Sequence, residues 1–244
     1  SGAADEESFD QEYMCIPADD DAKFLEYGLI TACEYSGGTD WKRGLQGPFD
    51  GRLFAGVDIG RKKDLTVLWV VEQLGDVFYT RHVEVMEKMR KSAQEAILWP
   101  WFEICDRVCI ESTGLGIGWA DDAQDKFGPH RVEGVNFSGP VKEALAYPLR
   151  GAMEDRMVRI PEDPKIRADL RKIQKTTTSA GNVRFVADGD DSTKVNGHAD
   201  RFWPLALALH AGSNPAAPLD WTPAPSLPRG FDNLRADGDQ DEDY

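Results

Sequence analysis

Cysteine is scarce in this chain: Cys15, Cys33, Cys105 and Cys109 are the only four in 244 residues, none in C-x-x-C spacing and none near a histidine pair. That pattern offers neither a disulfide framework nor a zinc motif, and it fits a reducing compartment such as the cytoplasm. Long apolar runs are missing as well. None reaches the roughly 18 to 20 residues that a membrane span needs, and no charged-then-apolar leader opens the chain. A phosphate loop of the form G-x-x-x-x-G-K-S/T is absent too, which excludes P-loop motor chemistry within these residues.

Positive charge is also in short supply, with 28 Lys and Arg against 43 Asp and Glu and a net charge of -15. Spread evenly, such an imbalance would repel nucleic acid. It is concentrated at the ends instead: residues 1–50 carry 12 acids and 3 bases, residues 213–244 carry 7 and 2, and residues 51–212 hold 24 acids against 23 bases. A near-neutral body with local basic stretches is compatible with a DNA partner. The expected organisation is an acidic arm or linker over 1–50, one globular domain over 51–212, and a Pro-rich acidic tail over 213–244. The 41% hydrophobic content is enough for one sizeable core.

Within 1–50 only the stretch from Phe24 to Ile30 is apolar enough for a helix or strand. The first strong pattern is Leu53 to Ile59, a compact apolar run that fits a buried strand. Leu65 to Gln73 and Val77 to Met86 follow, with Gly75-Asp76 as the hairpin turn between them. Ser92 and Glu95 have capping-box spacing ahead of Ile97, Leu98, Trp101, Phe102 and Cys105, which predicts a helix that Pro100 kinks or shortens. Arg107 to Glu111 is a fourth strand, Trp119 to Phe127 a helix, Arg131 to Phe137 a fifth strand and Lys142 to Glu154 another helix. Asp163-Pro164 caps a short helix with a basic face of Arg167, Arg171, Lys172 and Lys175. Lys175 to Ser179 and Val183 to Ala187 form a candidate hairpin, and Ala199 to Ala211 a final apolar helix. Three strands, helix, strand, helix, strand, helix is the element order of an α/β RNase H-like fold, a central mixed sheet flanked by helices.

Asp58 ends the first strand, Glu111 ends the fourth, and Asp200 opens the last helix. If the first and fourth strands are adjacent and parallel, Asp58 and Glu111 project from one edge, and a helix packed beside them supplies Asp200. Clustered carboxylates repel one another, and hard divalent cations relieve that repulsion, which favours Mg or Mn over zinc. Two such ions can activate water and stabilise the leaving oxygen of a phosphodiester. Asp64 is a plausible further ligand. His198 is expected beside the ligands rather than among them.

Gly56-Val57-Asp58-Ile59-Gly60-Arg61-Lys62-Lys63-Asp64, then Glu111-Ser112-Thr113-Gly114-Leu115-Gly116, then His198-Ala199-Asp200-Arg201-Phe202-Trp203 resemble the nuclease motifs of phage large terminase subunits. The match is nearest to the Mu-like phage and prophage type and covers about Phe54 to Ala211. The resemblance implies a metal-dependent endonuclease that cuts double-stranded viral DNA at packaging, in the cytoplasm of a bacterial host. Asp58, Glu111 and Asp200 would be its catalytic metal ligands, and a packaging ATPase domain, a portal and a small terminase subunit its partners. Some members carry an acid just before the final aspartate, where this chain has Ala199.

Blander readings stand beside this one. A lone aspartate at a strand end is usually a cap, and the basic face of Arg167, Arg171, Lys172 and Lys175, a candidate DNA backbone contact, is by default solvated. Gly114-Leu115-Gly116-Ile117-Gly118 follows a strand as a dinucleotide loop does, but Trp119 occupies the third glycine position. Asp58-Ile59-Gly60 also suits an actin-like or sugar-kinase ATPase, although about 160 core residues leave little room for its two domains. The remaining alternative is a non-catalytic packaging interaction module.

Overall fold

The computed structural model describes residues 23–35, 41–60, 65–178, 181, 183–187 and 199–213. Helix α1 (Tyr27–Cys33) leads into a two-residue strand β1 (Glu34–Tyr35), and then comes the meander that the alternation predicts: β2 (Arg52–Asp58), β3 (Thr66–Leu74) and β4 (Val77–Met86). Gly75 sits at φ +61 in the β3–β4 turn, the left-handed region where a glycine carries no steric penalty. Helix α2 (Lys91–Ile104), β5 (Arg107–Glu111), α3 (Leu115–Phe127), β6 (Val132–Val135), α4 (Gly139–Glu154) and β7 (Val158–Pro161) follow. Helix α5 (Pro164–Arg171), the hairpin of β8 (Ile173–Thr177) with β9 (Val183–Ala187), and helix α6 (Phe202–Ser213) complete the described chain.

Seven strands form one sheet in the order β1-β7-β4-β3-β2-β5-β6. The β2–β3 and β3–β4 pairs are antiparallel, whereas β2–β5, β5–β6, β4–β7 and β1–β7 are parallel. The sheet is therefore mixed, and β2 is an interior strand beside the middle one, β3, its residues Leu53 to Val57 buried. Side chains alternate between faces along each strand. Leu53, Ala55 and Val57 of β2, with Val108 and Ile110 of β5, pack against Leu98, Trp101 and Phe102 of α2 and Trp119, Ala120 and Ala123 of α3. Phe54 and Cys109 point the other way, toward Leu205, Ala206, Leu207 and Ala208 of α6 and Leu145, Ala146 and Leu149 of α4. This two-faced layering is the expected α/β RNase H-like architecture.

Several local expectations change. Ser92 and Glu95 form no capping box: α2 begins two residues earlier, after Arg90, without a side-chain cap, and Gln94 Nε2 donates instead to the Met89 carbonyl at 3.0 Å. Pro100 lies inside the helix without ending it. Helix α3 starts at Leu115 rather than Trp119, and α4 at Gly139 rather than Lys142, with the Ser138 hydroxyl accepting from the Val141 N–H at 3.4 Å. Asp163 caps α5 as the sequence indicates, accepting from the Lys165 and Ile166 N–H groups at 2.7 and 3.2 Å. Strand β7, only four residues long, is an addition. Phe24, Leu25, Ile30 and Cys33 are all buried in the core on the α6 side. Among the described residues no helix is long and apolar enough to cross a membrane.

Candidate active site

The parallel pairing of β2 with β5 sets the site. Gly56 is level with Cys109 and Val57 with Ile110, so Asp58 and Glu111 end neighbouring strands at the same height. By strand alternation both lie on the face that carries Phe54 and Cys109, the face covered by α6. Neighbouring strands run about 4.8 Å apart, so two carboxylates brought to this edge are within reach of a shared cation.

The backbone that follows Glu111 holds it in place. The Thr113 N–H donates to Glu111 Oε1 at 2.9 Å, and Glu111 is only 8% exposed. Gly114 turns the chain at φ +66, a conformation that favours glycine, and α3 then starts immediately against the strand end. A Cβ on Gly116 would come within 2.0 Å of the Glu111 carbonyl oxygen. The glycines of this segment thus allow a helix to begin directly over a buried carboxylate, which accounts for them without a dinucleotide.

Asp200 comes from the far end of the chain. It precedes α6, whose first turn crosses β2 so closely that a Cβ on Gly56 would lie 2.0 Å from the Pro204 carbonyl oxygen. Arg201, the next residue, pairs with Asp169 of α5 at 2.5 Å, and Asp169 is itself 6% exposed and also bound by Lys172 at 2.7 Å. Asp58, Glu111 and Asp200 then line one cleft of about 340 Å³. A second hollow of about 370 Å³ shares Asp58 and Asp200 and runs beneath β9, where Arg184 lines it.

Lys142 lines both hollows. It sits in the first turn of α4, with Nζ 5.6 Å from the Phe137 ring centre and 5.2 Å from that of Trp203, and those two rings are 5.2 Å apart. An aromatic pair therefore presents one ammonium to the cleft that holds three carboxylates. Sequence reasoning missed Lys142. The signal that places it was available in Ser138-Gly139-Pro140, a helix start right after β6, which puts Lys142 at the same sheet end as Glu111.

The remaining site expectations fall elsewhere. Asp64 and His198 lie outside the described residues. Arg167 is committed to a two-point ion pair with Glu34 at 2.8 and 2.7 Å, its guanidinium 5.6 Å from the Tyr27 ring centre. Arg171 lies 5.6 Å from the same ring, and Lys175 is 5.5 Å from that of Tyr147. These three and Lys172 line neither hollow.

The donor set of the cleft is all oxygen: three carboxylates from three separate elements, with Lys142 the one Lys or Arg among the described residues lining the hollow they share. Such a set fits a hard divalent cation and suits a soft one poorly. Elsewhere, Cys109, Glu133 and His210 bring one ligand atom each within 4.8 Å of one another, a second candidate metal cluster.

A mixed sheet with helices on both faces, and carboxylates at the ends of adjacent parallel strands, defines the RNase H-like class. The chain belongs to the terminase RNase H-like domain family, whose model matches residues 55–211. It is similar to the large terminase nuclease from thermophilic phage G20c with bound magnesium, at 28% identity and a TM-score of 0.56 over 67% of this chain and 82% of that one. The large terminase nuclease domain of Thermus phage P74-26 shares the fold at 23% identity, with a TM-score of 0.56 over 75% of this chain and 92% of that one. A K428A mutant of the large terminase subunit from bacteriophage Sf6, with calcium, shares it at 14% identity, with a TM-score of 0.53 over 77% and 99%. No curated protein matches this chain. The chain is a terminase-nuclease-like domain with candidate metal-binding residues, consistent with a metal-dependent nuclease.

Proposed function

We propose that this chain is the endonuclease part of a large terminase subunit of the Mu-like phage or prophage type, cutting double-stranded viral DNA at genome packaging. One observation carries the reading: Asp58, Glu111 and Asp200, 53 and 89 residues apart in sequence, line a single cleft. These three would hold Mg2+ or Mn2+, two ions in our reading, with Asp64 as a further ligand and His198 beside them. When bound, such ions activate water and stabilise the leaving oxygen of a phosphodiester. The rest is work for the chain's own side chains and backbone. The Thr113 N–H keeps the Glu111 carboxylate oriented, and the Lys142 ammonium offers a counter-charge to a phosphate entering the cleft.

Arg184, exposed where it lines the second hollow, would follow the DNA backbone outward. Arg167, Arg171, Lys172 and Lys175 are proposed as outlying backbone contacts, with Arg167 shared with Glu34 and Lys172 with Asp169. A packaging ATPase domain, the portal and the small terminase subunit complete the proposed setting, in the cytoplasm of the host.

Plasmid cleavage in Mg2+ or Mn2+, with and without EDTA, tests the reading. Nicking and linearisation with little sequence preference are expected, abolished by chelation and reduced by orders of magnitude in Asp58→Asn, Glu111→Gln and Asp200→Asn. Wild-type rates in all three folded variants would overturn the site. Absence of cleavage by the wild-type protein in either metal would return it to the class of non-catalytic packaging modules.

A further inference from the structure

We propose that Cys109, Glu133 and His210 form a second metal site, a three-ligand seat for a zinc-class divalent cation beneath the acidic cleft. Cys109 on β5 and Glu133 on β6 are direct partners in the parallel ladder, and His210 lies in the last turn of α6 above them. Three elements therefore deliver a thiol, a carboxylate and an imidazole to one point, with ligand atoms all within 4.8 Å of one another.

The spacings suit a bridging cation better than direct hydrogen bonds. His210 Nε2 stands 3.7 Å from Glu133 Oε1, beyond the roughly 2.7–3.2 Å of an N–H···O bond. Cys109 Sγ stands 3.7 Å from Oε2, where a thiol donates only weakly. Tetrahedral zinc, with bonds of about 2.0–2.3 Å to oxygen, nitrogen and sulfur, sets ligand-to-ligand edges near 3.5 Å. Closing the triad around such an ion takes movements of about an ångström or less.

The charges are arranged to suit. Glu133 offers the site its carboxylate. Arg107 binds Oε2, which leaves Oε1 facing the imidazole. A bound cation would take Cys109 as its thiolate, the thiol proton leaving to solvent. His210 and Glu133 remain about one-third exposed, which gives an ion a way in and leaves room for a water as fourth ligand.

Sulfur separates this site from the acidic trio. A thiolate and an imidazole select a borderline-soft cation, whereas an all-oxygen set selects a hard one, so the two sites sort different metals. Cys109 is two residues before Glu111 on the same face of β5, and α6 carries His210 at one end and follows Asp200 at the other. An ion here would clamp the far end of α6 to the sheet.

Cobalt(II) added to the metal-stripped full chain tests this, since only a thiolate ligand gives the intense near-ultraviolet sulfur-to-cobalt charge-transfer band. One equivalent should develop the band in the wild type and equally in an Asp58→Asn, Glu111→Gln double variant. Zn2+ should abolish it by displacement, and excess Mg2+ should leave it in place. Cys109→Ser should lose the band, and His210→Ala, altered at a partly exposed position, should bind at least tenfold more weakly while keeping a native circular dichroism spectrum. No band in the wild type, a band that survives Cys109→Ser, or undiminished affinity in His210→Ala would each overturn the site. None of these results bears on the cleavage assay, so the two readings fail separately.

Discussion

Asp169 and Arg201 meet at 2.5 Å across the gap between α5 and the start of α6, with Asp169 6% exposed. The pair fixes the residue after Asp200, so it is a positioning device for that carboxylate. Asp169→Asn removes the charge that Arg201 and Lys172 both lean on. The expected outcome is a loss of about 2–4 kcal/mol in stability. Cleavage should also need a higher Mg2+ concentration for half-maximal rate, while DNA affinity measured in EDTA stays near wild type. An unchanged metal requirement would show that Arg201 does not govern Asp200.

Gly56 has no room for a side chain. A methyl there would meet the Pro204 carbonyl oxygen at 2.0 Å and the Ala208 nitrogen at 2.5 Å, both backbone atoms that cannot rotate aside. Gly56→Ala should push α6 off β2 at a cost of about 3 kcal/mol, a fall of roughly 5–10 °C in melting midpoint. Because Asp200 rides ahead of α6, cleavage should fall by more than the folded fraction does. Thermal melts paired with rates on the same preparations check this.

Lys142 brings a cation to the cleft on the Phe137–Trp203 platform. Lys142→Ala should weaken DNA binding and lower its logarithmic salt slope by about 0.9, the share of one phosphate contact. Lys142→Arg should restore the slope. A slope unchanged in Lys142→Ala would confine the lysine to packing against the rings.

Glu72 supplies a pH dependence. It is fully buried and accepts from the Asp50 and Gly51 N–H groups at 2.5 and 2.8 Å and from Arg81 at 2.5 Å. Burial pushes its carboxyl up, but the Gly51 N–H, Arg81 and the Asp50 N–H outweigh that and leave it below the ordinary value of 4.5. The folded state therefore holds the charge more tightly than the unfolded chain. Its stabilisation is complete above the ordinary carboxylate range and is lost as pH falls through the lowered value. Glu72→Gln should destabilise at neutral pH by about 3 kcal/mol and flatten the acid limb of the stability curve. Denaturant melts between about pH 7 and pH 3 provide the measurement.

What the sequence revealed of this fold followed periodicity. The central strands are short, apolar and bounded by Gly or Asp, so β2, β5 and the β3–β4 hairpin were legible, and with them the two strand-end acids. Asp200 was legible because an apolar helix follows it. Other features depend on convergence in space. Ser92 and Glu95 have the spacing of a capping box, yet tertiary packing starts the helix at Lys91. Phe24 and Leu25 lie in an acidic stretch whose average composition hides side chains buried at 3% and 0% exposure. Cys109, Glu133 and His210 are 24 and 77 residues apart, and no spacing rule brings them together before β5, β6 and α6 pack. Arg167 displayed a basic helix face in sequence, and only the fold supplies Glu34 to meet it.

Helix α6 ends at Ser213, and two of the three cleft acids, Asp58 and Glu111, are made long before it. During synthesis the sheet edge therefore emerges with two carboxylates and no third. A nascent chain halted anywhere before Asp200 lacks the complete trio, however well its strands have paired. The cleft is finished by nearly the last element of the described chain, so its three acids come together only when α6 packs on the sheet.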